Sequence, residues 1–589
     1  MRANTNTKKN NKKQQGSVVA PWRFMLLLGF ILVGFTGLVA RTAWIQIIQP
    51  DRLRQEGDMR SLRTTADPSD RGMVTDRNGE QLAVSVPVQA VWADPKEIHA
   101  ADGLKNTAAW MALADVLGLD MRKLTSSVAD PKRRFVYLQR QITPAVADYI
   151  VKLKLPGVHL RRETRRYYPS GEISAHLVGN TNIDGSGIEG VERAFNDWLS
   201  STPSEYKIRK DRQGRVIENI GIVKEGKKAN DLVLSIDQRL QSIAYRSLKY
   251  ATEVNKATSG SLVLMDVVTG EVLAMVNTPS YNPNNREQYQ GFRARNRAVT
   301  DTYEPGSTVK PLVAMSALEH GVTNWKEVLD TRPFSIGGKV VTDSHRMASG
   351  GLFDILKYSS NIGMAHLALR MQPQWITSKF EEFGLGQDSG TGLMGESSGM
   401  IPLRSRWSKI ELATLGFGYG LRVTPLQLTA AYAALANKGI RKPVSVLKVS
   451  QSPQGERIID PLIAEQVVHA LESVVEEGGT GGKAAVPGYR VAGKTGTAKV
   501  ATAGGYGKDY VGTFAGFAPV SNPRFAMVVI INEPHGASYY GGSVAGPTFA
   551  EVMSSALQLY NVPPDALQEP KEELNTAQHS EGKKNATRS

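Results

Sequence analysis

Two serines, an asparagine and two lysines stand in this chain in an order that could carry out acyl transfer. Ser307 and Lys310 lie in EPGSTVKPL, from Glu304 to Leu312; Ser359 and Asn361 lie in YSSN; Lys494, Thr495, Gly496 and Thr497 lie in GKTGT. An alcohol is a poor nucleophile at neutral pH and needs a base beside it, and an amine that is desolvated or held near another cation can lose its proton and serve. Pro305 and Gly306 predict a turn, and STVK followed by LVAMSALEH predicts a helix that begins at or near Ser307. The serine then occupies a first helical turn, where unpaired N–H groups and the helix dipole favour negative charge. Lys310, three residues on, shares its face.

S-x-x-K alone says little. It recurs at Ser204 to Lys207, Ser445 to Lys448 and Ser580 to Lys583, where the plain reading is a solvated serine near a solvated lysine. Ser445 in particular lies in PVSVLKVS, which reads as a strand and makes it a bystander. What sets Ser307 apart is order and company: S-x-x-K, then S-x-N, then K-T-G is a specific triple, the fingerprint of penicillin-binding proteins and serine β-lactamases.

The rest of the chain must position these groups. Its 589 residues, 41% of them hydrophobic, suffice for two or more domains with appendages. The formal charge of +15 suggests nucleic acid until it is located. Arg2, Lys8, Lys9, Lys12, Lys13 and Arg23 all fall within the first 23 residues, which hold no acid. The remaining excess is ordinary for a protein working near anionic polymers or lipid head groups, and no nucleic-acid reading module accompanies it. Cysteine is absent, which excludes disulfides and thiolate ligands. None of the nine histidines forms H-E-x-x-H or a similar cluster, so neither metal nor cofactor is expected.

Residues 1–23 read as a basic, disordered tail. Phe24 to Ala40 is an uncharged apolar run flanked by Trp22 and Trp44, and we assign 24–44 as a transmembrane helix. The rival reading, a cleaved signal peptide, would need a small-x-small cleavage site, whereas RTAWIQIIQPDRLRQ looks helical. A retained anchor leaves the basic tail in the cytoplasm and exports the remainder. Residues 58–228 mix short strands and helices without a catalytic constellation; Asn78-Gly79 marks a hairpin, and RRYYPSGE, GIEGVE and KDRQGRVIE read as structural loops. A polar linker, EGKKAND, precedes a second exported domain at 232–560. There SGSLVLMDVVTGEVLAMV, VAGKTGTAKV, YVGTFAGFAP and FAMVVIINEP read as strands, YSSN as a turn between helical segments, and GPTFAEVMSSALQLY as a closing helix. Residues 561–589 read as an unstructured tail.

With those motifs in view, the chain resembles the class B penicillin-binding proteins, and best the septal peptidoglycan D,D-transpeptidases of Gram-negative bacteria, the FtsI type. GDMRSLR, RGMVTDRNG, RRYYPSGE, GIEGVE and GFGYGLRVTPLQL carry the resemblance beside the three active-site motifs. It implies a multidomain α+β protein: a single N-terminal transmembrane helix, an elongated pedestal, and a transpeptidase domain with a central antiparallel sheet covered by helices. It assigns the pedestal motifs to structure and partner contacts. It further implies cross-linking of peptidoglycan stem peptides at the septum, inhibition by β-lactams, and work beside the septal glycosyltransferase FtsW and other divisome membrane proteins.

On this reading Ser307 attacks the donor's penultimate D-alanine carbonyl. Lys310 is the base, its pKa depressed by Lys494, although the residues leave open which group takes the proton. Ser359 relays a proton to the departing D-alanine and Asn361 hydrogen-bonds the donor amide. Lys494, Thr495, Gly496 and Thr497 form the strand that receives the extended peptide and holds its carboxylate. The backbone N–H groups of Ser307 and Thr497 form the oxyanion hole. A soluble β-lactamase would lack the pedestal and anchor, a β-lactam receptor would need a cytoplasmic signalling domain, and a class A synthase a glycosyltransferase domain. A non-catalytic scaffold would leave the motif triple without purpose. Whether the chain is the housekeeping septal enzyme or a condition-specific paralogue stays open at this point.

Overall fold

The computed structural model describes residues 21–66, 71–211, 216–502 and 505–566. The basic tail to residue 20, the Ser580 to Lys583 pair and the chain after 566 lie outside the described residues. Two compact units separate: one holds the described residues up to 66 with those of Pro203–Lys227, and the other holds the rest.

In the first unit, a helix over Pro21–Ala43 runs on through a wider turn, Trp44–Ile48. Together they form 28 residues, none of them buried, whose most apolar 18-residue window has a mean hydropathy of 2.1, long and apolar enough to cross a membrane. Thr36 and Thr42 donate their hydroxyls to the carbonyls of Leu32 and Leu38, so neither presents an unpaired polar group to lipid. Leu62–Ala66, Glu205–Lys210 and Val216–Lys224 form an antiparallel three-stranded sheet in the same unit.

In the second unit β1 (Gln81–Ala93) pairs antiparallel with β2 (Val136–Ile142) and β3 (Val158–Tyr167). Here two of the motifs read as structural loops, GIEGVE and RRYYPSGE, meet the hairpin stretch RGMVTDRNG in one buried ion cluster. Glu192 of GIEGVE accepts from Arg71 Nε at 2.5 Å and from Arg166 Nε at 2.6 Å, linking RGMVTDRNG to RRYYPSGE. The Glu192 side chain is fully buried and its partners nearly so. Removing one member of such a group strands its partners' charges in a poorly solvated place, a loss of about 3–5 kcal/mol. Glu192→Ala is therefore expected to lower the thermal unfolding midpoint by roughly 5–15 °C. A midpoint within about 2 °C of wild type would show that the cluster carries no such weight.

The larger part of this unit is a five-stranded antiparallel sheet, built from β4 (Ser259–Asp266), β5 (Val272–Thr278), β6 (Ala492–Thr502), β7 (Gly505–Ala518) and β8 (Phe525–Asn532) in the order β5-β4-β8-β7-β6. Every residue of β4 and β5 is buried because helices cover both faces. On one face α1 (Gln238–Val254) and the closing helix over Gly546–Leu559 pack Leu240, Leu248, Phe549 and Val552 onto Leu262, Leu264, Met527 and Val529. On the other, α2 (Lys310–Glu319) and a helix over Pro425–Ala436 join Val263, Met265, Val528 and Ile530. The alternation of partners along β4 and β8 follows from the two-residue period of a strand.

The two edges of this sheet are treated differently. Gln241 of α1 donates to Met275 O at 2.8 Å and accepts from Met275 N at 2.9 Å, so a side chain takes the place of a neighbouring strand along β5. At the other edge β6, which holds the K-T-G motif, has no strand paired on its outer side among the described residues. The stretch around Ser445 departs from its expected strand. It forms only single bridges, Glu271 to Ser445 and Leu234 to Leu447, and Ser445 Oγ turns back to donate to Leu447 O. At the other end of the chain, Asn561 to Ala566, read as the start of a tail, is tied down: Asp565 accepts from Arg490 N and Ser521 N, and Val562 O from Tyr489 OH.

Candidate active site

Three elements bring the sequence motifs together. Ser307 lies on a 3-10 turn, Gly306–Val309, which runs directly into α2 at Lys310. Among the described residues no group accepts a hydrogen bond from the Ser307 backbone N–H, as an oxyanion donor requires. The turn is gripped from two sides. Tyr432 on the helix over Pro425–Ala436 donates to Thr308 O at 2.7 Å. From the other side Gly496 of β6 leaves room for it: a Cβ there would stand 2.9 Å from Thr308 Cγ2 and 3.2 Å from Pro305 O. Glycine at the third motif is thus a packing requirement of the first.

Ser359 and Asn361 lie where α3 (Leu352–Lys357) gives way to α4 (Asn361–Arg370). Ser359 has φ +62°, the left-handed region that costs a residue with a Cβ about 1 kcal/mol or more, so its surroundings must hold it there. Lys310 does so. Its Nζ donates to Ser359 O and Asn361 Oδ1, both at 2.7 Å, and lies 3.3 Å from Ser359 Oγ. The first two are acceptors only, and a neutral amine has two hydrogens, so its lone pair remains free to take a proton from a hydroxyl. The hydrogen bonds of Lys310 thus run to the S-x-N motif, not to Ser307.

Lys310 and Lys494 are both fully buried. Burial first, and then the charge of Lys494, push the Lys310 amine well below the ordinary lysine range, against the opposing pull of Asp343. Burial alone brings Lys494 down to about 7. Two ammonium groups in one poorly solvated site oppose each other, so near neutrality one of the pair gives up its proton readily. Along β6, Thr495 Oγ1 lies 2.8 Å from Thr480 Oγ1, and Thr497 Oγ1 accepts from Gly541 N at 3.1 Å. Among the described residues, no group of three or more His, Cys, Asp or Glu stands close enough to hold a metal ion.

The profile of the penicillin-binding protein transpeptidase domain matches residues 260–554, and that of the penicillin-binding protein dimerisation domain matches residues 66–234. The peptidoglycan D,D-transpeptidase FtsI of Escherichia coli is 51% identical over 96% of this chain and 97% of its own length. The chain is a class B penicillin-binding protein of the FtsI type. A probable peptidoglycan D,D-transpeptidase of Pseudomonas aeruginosa, PbpC, is 38% identical over 93% of this chain and 97% of its own. The crystal structure of a peptidoglycan synthetase from Bifidobacterium adolescentis superposes with a TM-score of 0.68 at 28% identity, covering 86% of this chain and 98% of that one.

Two supports of this penicillin-binding site were not legible in the motifs. Asp343 accepts from Asn361 N and Ile362 N and from the Ser360 hydroxyl, while Ser360 Oγ accepts from Gly363 N. The carboxylate thus caps α4 at the residue that presents Asn361. It sits in the loop VTDSHRM, far from any helix start, and only the folded chain brings it there. Tyr432 lies on a helix buried nearly all round, where nothing in the pattern marks one side chain for the Ser307 turn.

Proposed function

We propose that this chain is the peptidoglycan D,D-transpeptidase of the division septum and that it works through an acyl-enzyme on Ser307. The observation that carries the reading is the meeting of three motifs, from three separate elements, around two buried lysines. Ser307 Oγ attacks the carbonyl carbon of the donor's penultimate D-alanine and its proton passes to Lys310. The oxyanion is held by the N–H groups of Ser307 and Thr497. The C–N bond to the terminal D-alanine breaks, and that nitrogen receives a proton through Ser359. Asn361 holds the donor amide. Lys494, Thr495 and Thr497, with Gly496 admitting the turn, hold the donor along β6 and bind its carboxylate. An acceptor amine then displaces Ser307 Oγ, forming the cross-link and returning the serine. A β-lactam acylates the same oxygen and stays.

The apolar N-terminal helix anchors the enzyme in the inner membrane, with the basic tail in the cytoplasm and the catalytic domain in the periplasm. Residues 58–228 serve as pedestal and 232–560 as transpeptidase domain. FtsW supplies the glycan, and other divisome membrane proteins bring the enzyme to the septum. Expression in cells depleted of their own septal transpeptidase is expected to restore division, with Ser307→Ala as the inactive control. Filaments that persist despite an active, membrane-inserted protein would count against the housekeeping role and leave a condition-specific one.

A further inference from the structure

Glu304 opens the EPGSTVKPL segment, and its carboxylate joins three pieces of chain. Oε1 accepts from Gly420 N at 2.8 Å and from Tyr506 OH at 3.2 Å. Gly420 belongs to GFGYGLRV, which runs alongside the approach to the nucleophile: Tyr303 and Val423 exchange two backbone hydrogen bonds, and Gly306 N donates to Gly418 O at 3.0 Å. The approach is close enough that a Cβ at Gly418 would stand 1.9 Å from Gly306 O, and its φ is +90°. Tyr506 lies on β7 opposite Ala501 of β6, in the hairpin whose first strand carries Lys494 to Thr497. Its ring meets Tyr419 edge to face, 5.4 Å between centroids. One oxygen atom therefore fastens the nucleophile turn, the glycine-rich loop beside it and the donor-binding hairpin to one another.

The second oxygen has no such work. Glu304 Oε2 is buried without a hydrogen-bond partner among the described residues, and Glu304 lines a cavity of about 300 Å³ together with Tyr303, Arg297 and Arg422. An unpartnered buried oxygen is a standing cost. The hydrogen bonds that the structure gives this carboxylate are those of Oε1.

We propose that Glu304 is a positioning residue for acylation: its hydrogen bonds to Gly420 and Tyr506 hold the Ser307 turn and the K-T-G strand in one fixed relation. The inference rests on the role proposed for Ser307. The experiment is labelling of the detergent-solubilised full chain with a fluorescent penicillin, reading the rate constant and the final stoichiometry separately. Glu304→Ala is expected to slow acylation about 10- to 100-fold at full stoichiometry, the size of a lost charge-assisted hydrogen bond. Glu304→Gln keeps an oxygen that accepts both bonds and should stay within about threefold of wild type, whereas Tyr506→Phe, which loses one bond, should fall between. A merely structural role would lower the stoichiometry and leave the rate of the remaining active sites alone. That result, a wild-type rate in Glu304→Ala, or a Glu304→Gln rate as low as that of Glu304→Ala would each overturn the proposal. The wild-type adduct is mapped in the same series, so an adduct away from Ser307 would count against the mechanism rather than against Glu304.

Discussion

Ser307→Ala is expected to abolish covalent labelling by penicillin while leaving the thermal unfolding midpoint nearly unchanged. The substitution removes one hydroxyl from a half-exposed position on the 3-10 turn, where it opens no sizeable cavity. The turn itself is held by other groups, Tyr432 on Thr308 O and Gly418 O on Gly306 N, and those contacts do not involve the lost oxygen. Binding without acylation should survive, since the strand edge and Lys494 are untouched. Labelling that persists at the wild-type rate in a folded Ser307→Ala protein would refute the assignment of the nucleophile.

Lys310→Ala should slow acylation by about 10² to 10⁴, the usual worth of a positioned general base. The loss has two sources. The amine proposed to take the serine proton is gone, and so are the two 2.7 Å hydrogen bonds that hold Ser359 in its left-handed conformation and fix Asn361. Lys310→Met keeps more of the buried volume and separates loss of the base from loss of packing. The pH profile supplies an independent check. A base must be unprotonated, so wild-type acylation should rise with pH and level off below the ordinary lysine range, because burial and Lys494 hold the Lys310 amine down. The residual activity of Lys310→Ala should have lost that rise. A profile of unchanged shape would remove Lys310 from the proton path.

Much of this was legible in the sequence, for identifiable reasons. The strands of the main sheet are continuous apolar runs, such as SLVLMD and FAMVVIIN, because helices cover both faces; the runs expose the architecture. The side chains proposed as catalytic sit in short motifs because each motif is a local device: a helix start, a strained turn, an edge strand. What stayed hidden was every support whose two halves lie far apart in the chain. Asp343 reaches α4 from a separate loop, Glu304 meets Tyr506 across 202 positions, and Glu192 collects Arg71 from 121 positions away. Local patterns carry no trace of such pairings. The stretch at Ser445 erred in the other direction. Its alternating apolar residues suit a strand, but it pairs with Glu271 and Leu234 through single bridges only.

The most direct test of Ser307 as the nucleophile is the site of the adduct itself. After reaction of the full-length protein with labelled penicillin, proteolysis and mass spectrometry should find one adduct per chain, on the peptide that contains Ser307. Ser445 is the internal control, an S-x-x-K serine whose hydroxyl is already turned to Leu447 O. An adduct on Ser445, or on any peptide lacking Ser307, would contradict an acyl-enzyme at Ser307 and the transpeptidase mechanism built on it.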